Sequence, residues 1–395
     1  MRYFIDPYIK FPTGKIKFHV KMAIIFFSLG FLFINFSLLE NSTRQMLSFS
    51  MFGTSVLFSF FELFPDILKR GQIKALLIGG SIILYTILFS SFVEPYGEYG
   101  GNKYPYFLFV IFISFITTPS LLKYENSVEL FNKLLFYISL VLCVFSILYA
   151  NPSLGRRGEF GLNPAILARL CMIAGIYITA VMFCKGITVF RVLILLLSLI
   201  AVFFTATKTP VPVFLFSFYC LVVKKINLKT GFKMFWGGVG FVLLSYIVLV
   251  NFIPSEFSER ILDPKSLSTE RQSVEGNRFQ LYQLSWDILE KSVGGHGFGA
   301  FAKFHAFIVA PHNVILEISI ELGILITICF LIWIYVILKR IRKMNIESVN
   351  VLFICNLFVY SLISSMFGGE LTLQNLLLYL TGSFIILYGK NYYIK

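Results

Sequence analysis

The sequence predicts an all-α polytopic membrane protein with about twelve transmembrane helices and one long loop between the ninth and tenth. Three observations carry that prediction. Hydrophobic residues make up 57% of the chain and charged residues 14%, whereas a soluble domain carries about 25% charged residues. Mean hydropathy is +0.81. Apolar runs long enough to cross roughly 30 Å of hydrocarbon recur along the chain, and the 58-residue stretch Pro254 to Pro311, rich in Arg, His and Gly, interrupts them.

The runs lie near 22 to 39, 46 to 64, 75 to 93, 105 to 122, 134 to 150, 162 to 184, 188 to 206, 209 to 223, 234 to 253, 313 to 337, 350 to 366 and 371 to 388. The first follows Lys15, Lys17 and Lys21. No small-residue cleavage site comes after it, so it is expected to stay as the first helix and not to be removed as a signal peptide. The run at 209 to 223 is the shortest.

Orientation follows from the basic residues, which collect in cytoplasmic loops. An N-terminus inside places Lys10 to Lys21, Lys69 to Lys74, Lys123 and Lys133, Lys185 and Arg191, Lys224 to Lys233, Lys339 to Lys343, and Lys390 with Lys395 on the cytoplasmic side. Both termini are then cytoplasmic and the 254 to 311 loop is outside. Net charge +14 is thus a topology signal. Nucleic acid is not an expected partner, because the charges occupy separated loops and not one face.

All six cysteines lie within apolar runs and none in the outer loop, so they read as small core residues and not as a disulfide framework. Neither an internal repeat nor a soluble domain is visible; the chain reads as one polytopic domain, 1–395. An ATP-driven machine would need a partner subunit.

Three places carry candidate chemistry. Arg156 and Arg157, followed by Gly158 and Gly161, lie outside, against the topology bias. They either anchor lipid headgroups or form a fork for an anionic substrate, since guanidinium pairs bidentately with phosphate oxygens. Arg169, at lipid depth in the following span, should face the bundle, to pair with Glu62 or Glu317 or to meet substrate. Lys208 is a further possible anion contact near the outer face.

The outer loop reads as a helix from Arg278 to Glu290, then the glycine cluster Gly294 to Gly299. Apolar or aromatic residues at Phe279, Tyr282, Leu284, Trp286 and Ile288 are expected to lay this helix on the membrane surface, with Arg278 near its start able to point at an anion. The glycines fail the G-x-G-x-x-G spacing and are expected to make a tight turn; His296 and His305 read as loop histidines.

The third place is Pro311-His312-Asn313, then Glu317, Glu321 and Gly323. Proline suits the first helical position, so His312 is expected in the first turn, where the helix dipole favours a neutral imidazole able to take a proton. Asn313, Glu317 and Glu321 recur every four residues and form one polar stripe, which must face a bundle interior. No second His or Asp completes a metal ligand set there.

Arg278, Trp286, Gly295 to Gly299, and above all Pro311-His312-Asn313 followed by nine residues and Gly323, resemble the O-antigen ligase and polymerase superfamily. The Arg157 to Pro164 stretch is similar to that family's earlier arginine-bearing region, so the likeness covers roughly 155–330. The family's pattern commonly ends Gly-x-x-Gly, and the last position here is Ile326; the Arg-x10-Gly repeats described for polymerases are absent.

The resemblance implies a C-type glycosyltransferase-like fold with a periplasmic loop, in a bacterial inner membrane. It also implies transfer of glycan from undecaprenyl pyrophosphate to an acceptor hydroxyl, without metal or cofactor. Arg156 or Arg157, with Arg278, would bind pyrophosphate; His312 would be the general base, and Asn313 and Glu317 would orient it. Membrane lipids and a chain-length regulator are the implied partners. The missing second glycine favours a repeat-unit polymerase over a ligase joining glycan to lipid A core. A flippase or other transporter instead predicts two similar halves and a long loop after the sixth span, neither of which the sequence has.

Overall fold

The computed structural model describes residues 16–34, 41–66, 70–117, 124–148, 164–205, 207, 209–222, 236–237, 240, 278–305, 310–344, 346–368 and 375–388. Within these residues the chain is helical. In order the helices are α1 (Phe18–Ile34), α2 (Asn41–Asp66), α3 (Arg70–Phe92), α4 (Gly97–Phe112), α5 (Glu125–Leu148), α6 (Pro164–Lys185), α7 (Val189–Phe204) and α8 (Pro210–Val222). There follow α9 (Arg278–Lys291), a single turn α10 (Phe301–Phe304), α11 (Val314–Leu322), α12 (Ile324–Ile341), α13 (Val349–Met366) and α14 (Leu376–Tyr388).

Helices occupy each apolar run named above except 234 to 253, of which only 236–237 and 240 are described. Four of them, in α5, α6, α12 and α13, are long and apolar enough to cross a membrane, and six further apolar helices are shorter. A helix satisfies its backbone hydrogen bonds internally, which is why a chain this apolar folds into helices. The fourth run begins earlier than its hydropathy indicates. α4 starts at Gly97, leaves Glu98, Gly101 and Asn102 of its first turns exposed while burying Gly100 and Lys103, and passes into a π-helical turn at Ile113–Thr117.

Small residues and hydroxyls set the helix contacts. α1 lies along α2 with Ser48 Oγ donating to the Gly30 carbonyl at 2.9 Å and Ser55 Oγ to that of Ala23 at 2.8 Å, while Phe27 meets Phe52 edge-on. Ser139 of α5 and Ser198 of α7 both reach α6, at the carbonyls of Leu170 and Cys171. Where solvent is as apolar as the side chains, close packing and interhelical hydrogen bonds supply the attraction.

α13 is the central post. It packs on α5, α6, α8, α11 and α14, and every side chain from Val351 to Tyr360 is buried. α12, on the outside, exposes Leu325, Ile332 and Tyr335. Cys143, Cys171 and Cys355 are buried as expected, but Cys220 and Cys329 are exposed: α8 and α12 are apolar on their outward faces too, so an apolar run does not tell inward from outward.

Candidate functional site

The run expected as one span from 313 to 337 is two helices. α11 ends at Leu322, Gly323 takes φ 90° and ψ 166°, and α12 restarts at Ile324. An irregular residue at membrane depth is tolerated only where protein covers it, and the glycine cluster supplies that cover. His296 N donates to the Ile320 carbonyl at 2.8 Å and Gly297 N to that of Glu321 at 3.0 Å, while Ile324 N donates back to Val293 at 3.0 Å. Tyr85 of α3 takes the Leu322 carbonyl at 3.2 Å. Backbone groups left over by the break are thereby satisfied by the loop.

Such contact requires glycine. A Cβ on Gly323 would stand 2.5 Å from the Gly294 carbonyl oxygen, and one on Gly295 2.7 Å from Gly323 N. The same loop plugs into α4: Tyr96 N donates to the Phe298 carbonyl at 2.8 Å, and the buried Phe298 ring meets Tyr104 and Phe107. The cluster is a turn, as expected, but its glycines serve backbone-to-backbone packing on the broken helix.

Next to the break lies a buried charge cluster. Lys103 of α4 bonds Glu317 and, at 2.5 Å, Glu321; Lys103 is 2% exposed and both glutamates 0%. Glu321 Oε1 also accepts from Gly299 N at 3.0 Å, and Lys103 lies 5.5 Å from the Tyr99 ring centre. The Glu317 and Glu321 part of the stripe thus faces inward, as its four-residue spacing predicts, and its cation comes from α4. Sequence reasoning missed Lys103 and considered Arg169 as the partner of Glu317. The available signal was a lysine at the mouth of an aromatic run in a chain whose two stripe carboxylates demand a cation.

His312 stands ahead of α11 and not in its first turn, because Asn313 is the N-cap. The Asn313 carbonyl oxygen of the side chain accepts from Ile315 N at 3.0 Å and Leu316 N at 3.3 Å. An N-cap residue has extended backbone, here φ −144° and ψ 117°, so the helix cannot include the residue before it. His312 adopts φ 56°, the one non-glycine residue with positive φ among those described. Left-handed backbone at a histidine is uncommon and clusters at functional sites. The side chain is half-buried.

Arg278 opens α9, but its side chain lies outside the described residues, as do Arg156, Arg157 and Lys208 altogether. α9 turns Leu281, Ser285 and Ile288 inward, with Leu281 and Ile288 packed on Phe301 and Ile320. This corrects the expected membrane face: Ile288 is core, Trp286 is exposed, and the buried set follows the i, i+4, i+7 spacing of a helix docked on protein. His296 Nε2 lies 3.1 Å from the Ile288 carbonyl and its ring packs edge-on against Phe304.

α9 and α6 each approach the end of α13. Tyr282, one turn after Arg278, donates to the Met366 carbonyl at 3.4 Å. Gly368 is so close to Arg169 that an added Cβ would be 3.0 Å from its Nη2. α11 also packs on α13. Arg169 lines a small cavity with Tyr360, Ser361, Ser364 and Asn375. It holds about 40 Å³, space for water but not for a sugar.

Residues 193–331 match the family model of O-antigen ligase. The match supports the resemblance to the O-antigen ligase and polymerase superfamily, and it contains Lys208, Arg278, His312, Asn313, Glu317, Glu321 and Gly323; Lys103, Arg156, Arg157 and Arg169 precede it. No curated protein matches the chain.

Proposed function

We propose that the protein is a glycosyltransferase that takes glycan from a polyprenyl-pyrophosphate-linked donor and joins it to an acceptor sugar hydroxyl on the outer, periplasmic side of a bacterial inner membrane. The observation carrying this reading is His312, held in left-handed backbone beside the Asn313 cap within the family-matched segment.

In the reaction, the His312 imidazole accepts the acceptor hydroxyl proton, and the oxygen attacks the anomeric carbon as the bond from that carbon to the pyrophosphate oxygen breaks. Its electron pair leaves with polyprenyl pyrophosphate. Arg156 or Arg157, with Arg278, binds the pyrophosphate and offsets its growing charge, an electrostatic role worth about 3 kcal/mol per well-placed donor. Lys208 and Arg169 are supporting cations. Asn313 and Glu317 orient the base, and no metal is required.

Between the family's two acceptors, the proposal is repeat-unit polymerisation, favoured by Ile326 where the ligase pattern has its second glycine. The glycan profile of a deletion strain tests it. Lipid A core bearing one repeat is the expected outcome; core with no repeat identifies a ligase, and an unchanged profile refutes both.

A further inference from the structure

We propose that Lys103 is a positioning residue for His312, a role that rests on the reaction proposed above. The break at Gly323 uncouples α11 from α12, leaving a nine-residue helix that carries Asn313 and the adjoining histidine at its free end. A segment this short needs a grip of its own to hold a base in register. Lys103 provides one at two points a turn apart, Glu317 and Glu321.

Each point leads to a different part of the site. Glu317 N donates to the Asn313 carbonyl at 2.9 Å, so fixing Glu317 fixes the turn that the N-cap begins. Glu321 shares its Oε1 between Lys103 and Gly299 N, which locks the glycine loop to the same cation. On the other side, α4 is anchored to that loop through Tyr96 and Phe298 and through Gly100, where a Cβ would lie 2.2 Å from the Phe298 carbonyl oxygen. α4, the loop and α11 therefore form one rigid bracket with Lys103 at its centre. Lys103 is fully buried and acts through Glu317, without touching the reacting atoms.

A misplacement of about 1 Å at a catalytic group lowers rates by roughly 100-fold. The test compares Lys103→Met with the charge-neutral triple variant Lys103→Met/Glu317→Gln/Glu321→Gln, which leaves no unpaired buried charge and so keeps the fold accessible. Folded protein is quantified by size exclusion in detergent, and kcat and KM are measured with purified lipid-linked donor. The expected result, in whichever variants fold, is kcat per folded molecule down about 100-fold with the donor KM within threefold of wild type.

A kcat per folded molecule within threefold of wild type overturns the inference, because Lys103 then serves only the fold; so does a loss confined to KM. His312→Ala measured alongside separates the two readings. Full activity in His312→Ala refutes the proposed reaction, and the positioning role with it. An inactive His312→Ala beside Lys103 variants of normal kcat refutes the positioning role alone.

Discussion

Gly323→Ala is the sharpest perturbation of the broken helix. The residue lies at φ 90° and ψ 166°, a region that glycine alone occupies readily and that costs other residues about 1–3 kcal/mol. The added methyl would also stand 2.5 Å from Gly294 O, 2.7 Å from Gly294 C and 3.1 Å from Val293 O. All three are backbone atoms, so no rotamer change relieves the clash and the loop must retreat. Retreat strains the bonds from His296 N, Gly297 N and Ile324 N, each worth about 1 kcal/mol net. The expected loss is about 3–5 kcal/mol, from backbone conformation and weakened hydrogen bonds together. The assay is unfolding of purified protein in detergent, with Gly80→Ala as control: Gly80 is exposed within α3 with nothing within 4 Å of an added Cβ, so alanine there is neutral or stabilising by about 0.5–1 kcal/mol. A Gly323→Ala protein as stable as wild type would refute the claim that the glycine loop seals the break.

The other expectations concern the chemistry. His312→Ala should lower glycan transfer by about 100-fold or more with the protein still folded; His312→Asn, which tolerates left-handed backbone, should be as stable as wild type and equally slow, and a normal rate in it would exclude a base at this position. Arg278→Lys should be nearly as inactive as Arg278→Ala, because an ammonium cannot reproduce a bidentate fork; recovery of transfer in the lysine variant would make Arg278 a simple charge anchor. Chelation with EDTA should leave the rate unchanged, and a loss reversed by magnesium would move the search to Glu259, Asp263, Glu270 and Asp287.

Much of this architecture is readable before folding is considered. Composition forces helices, because a chain this apolar must satisfy its backbone within each segment. The four-residue spacing of Glu317 and Glu321 announces an inward pair, and the helix expected from Arg278 to Glu290 is observed as Arg278–Lys291. Reading failed where two structures share one local pattern. Pro311 favours a helix start, yet Asn313 wins the capping position because its side chain satisfies two backbone N–H groups that proline cannot. Trp286 and Ile288 are both apolar, but only docking on α11 decides which is core.

What the sequence by itself determined is therefore the all-helical, apolar character of the described chain and the inward placement of Glu317 and Glu321 on α11. Tertiary structure alone decided that the stripe's cation is Lys103, 214 positions before Glu317, and that Gly323 breaks a run whose hydropathy is continuous. The reason is physical. Hydropathy and spacing act within a segment, whereas an ion pair and a backbone-to-backbone contact depend on which segments become neighbours, and that is fixed only when α4, the glycine loop and α11 pack together.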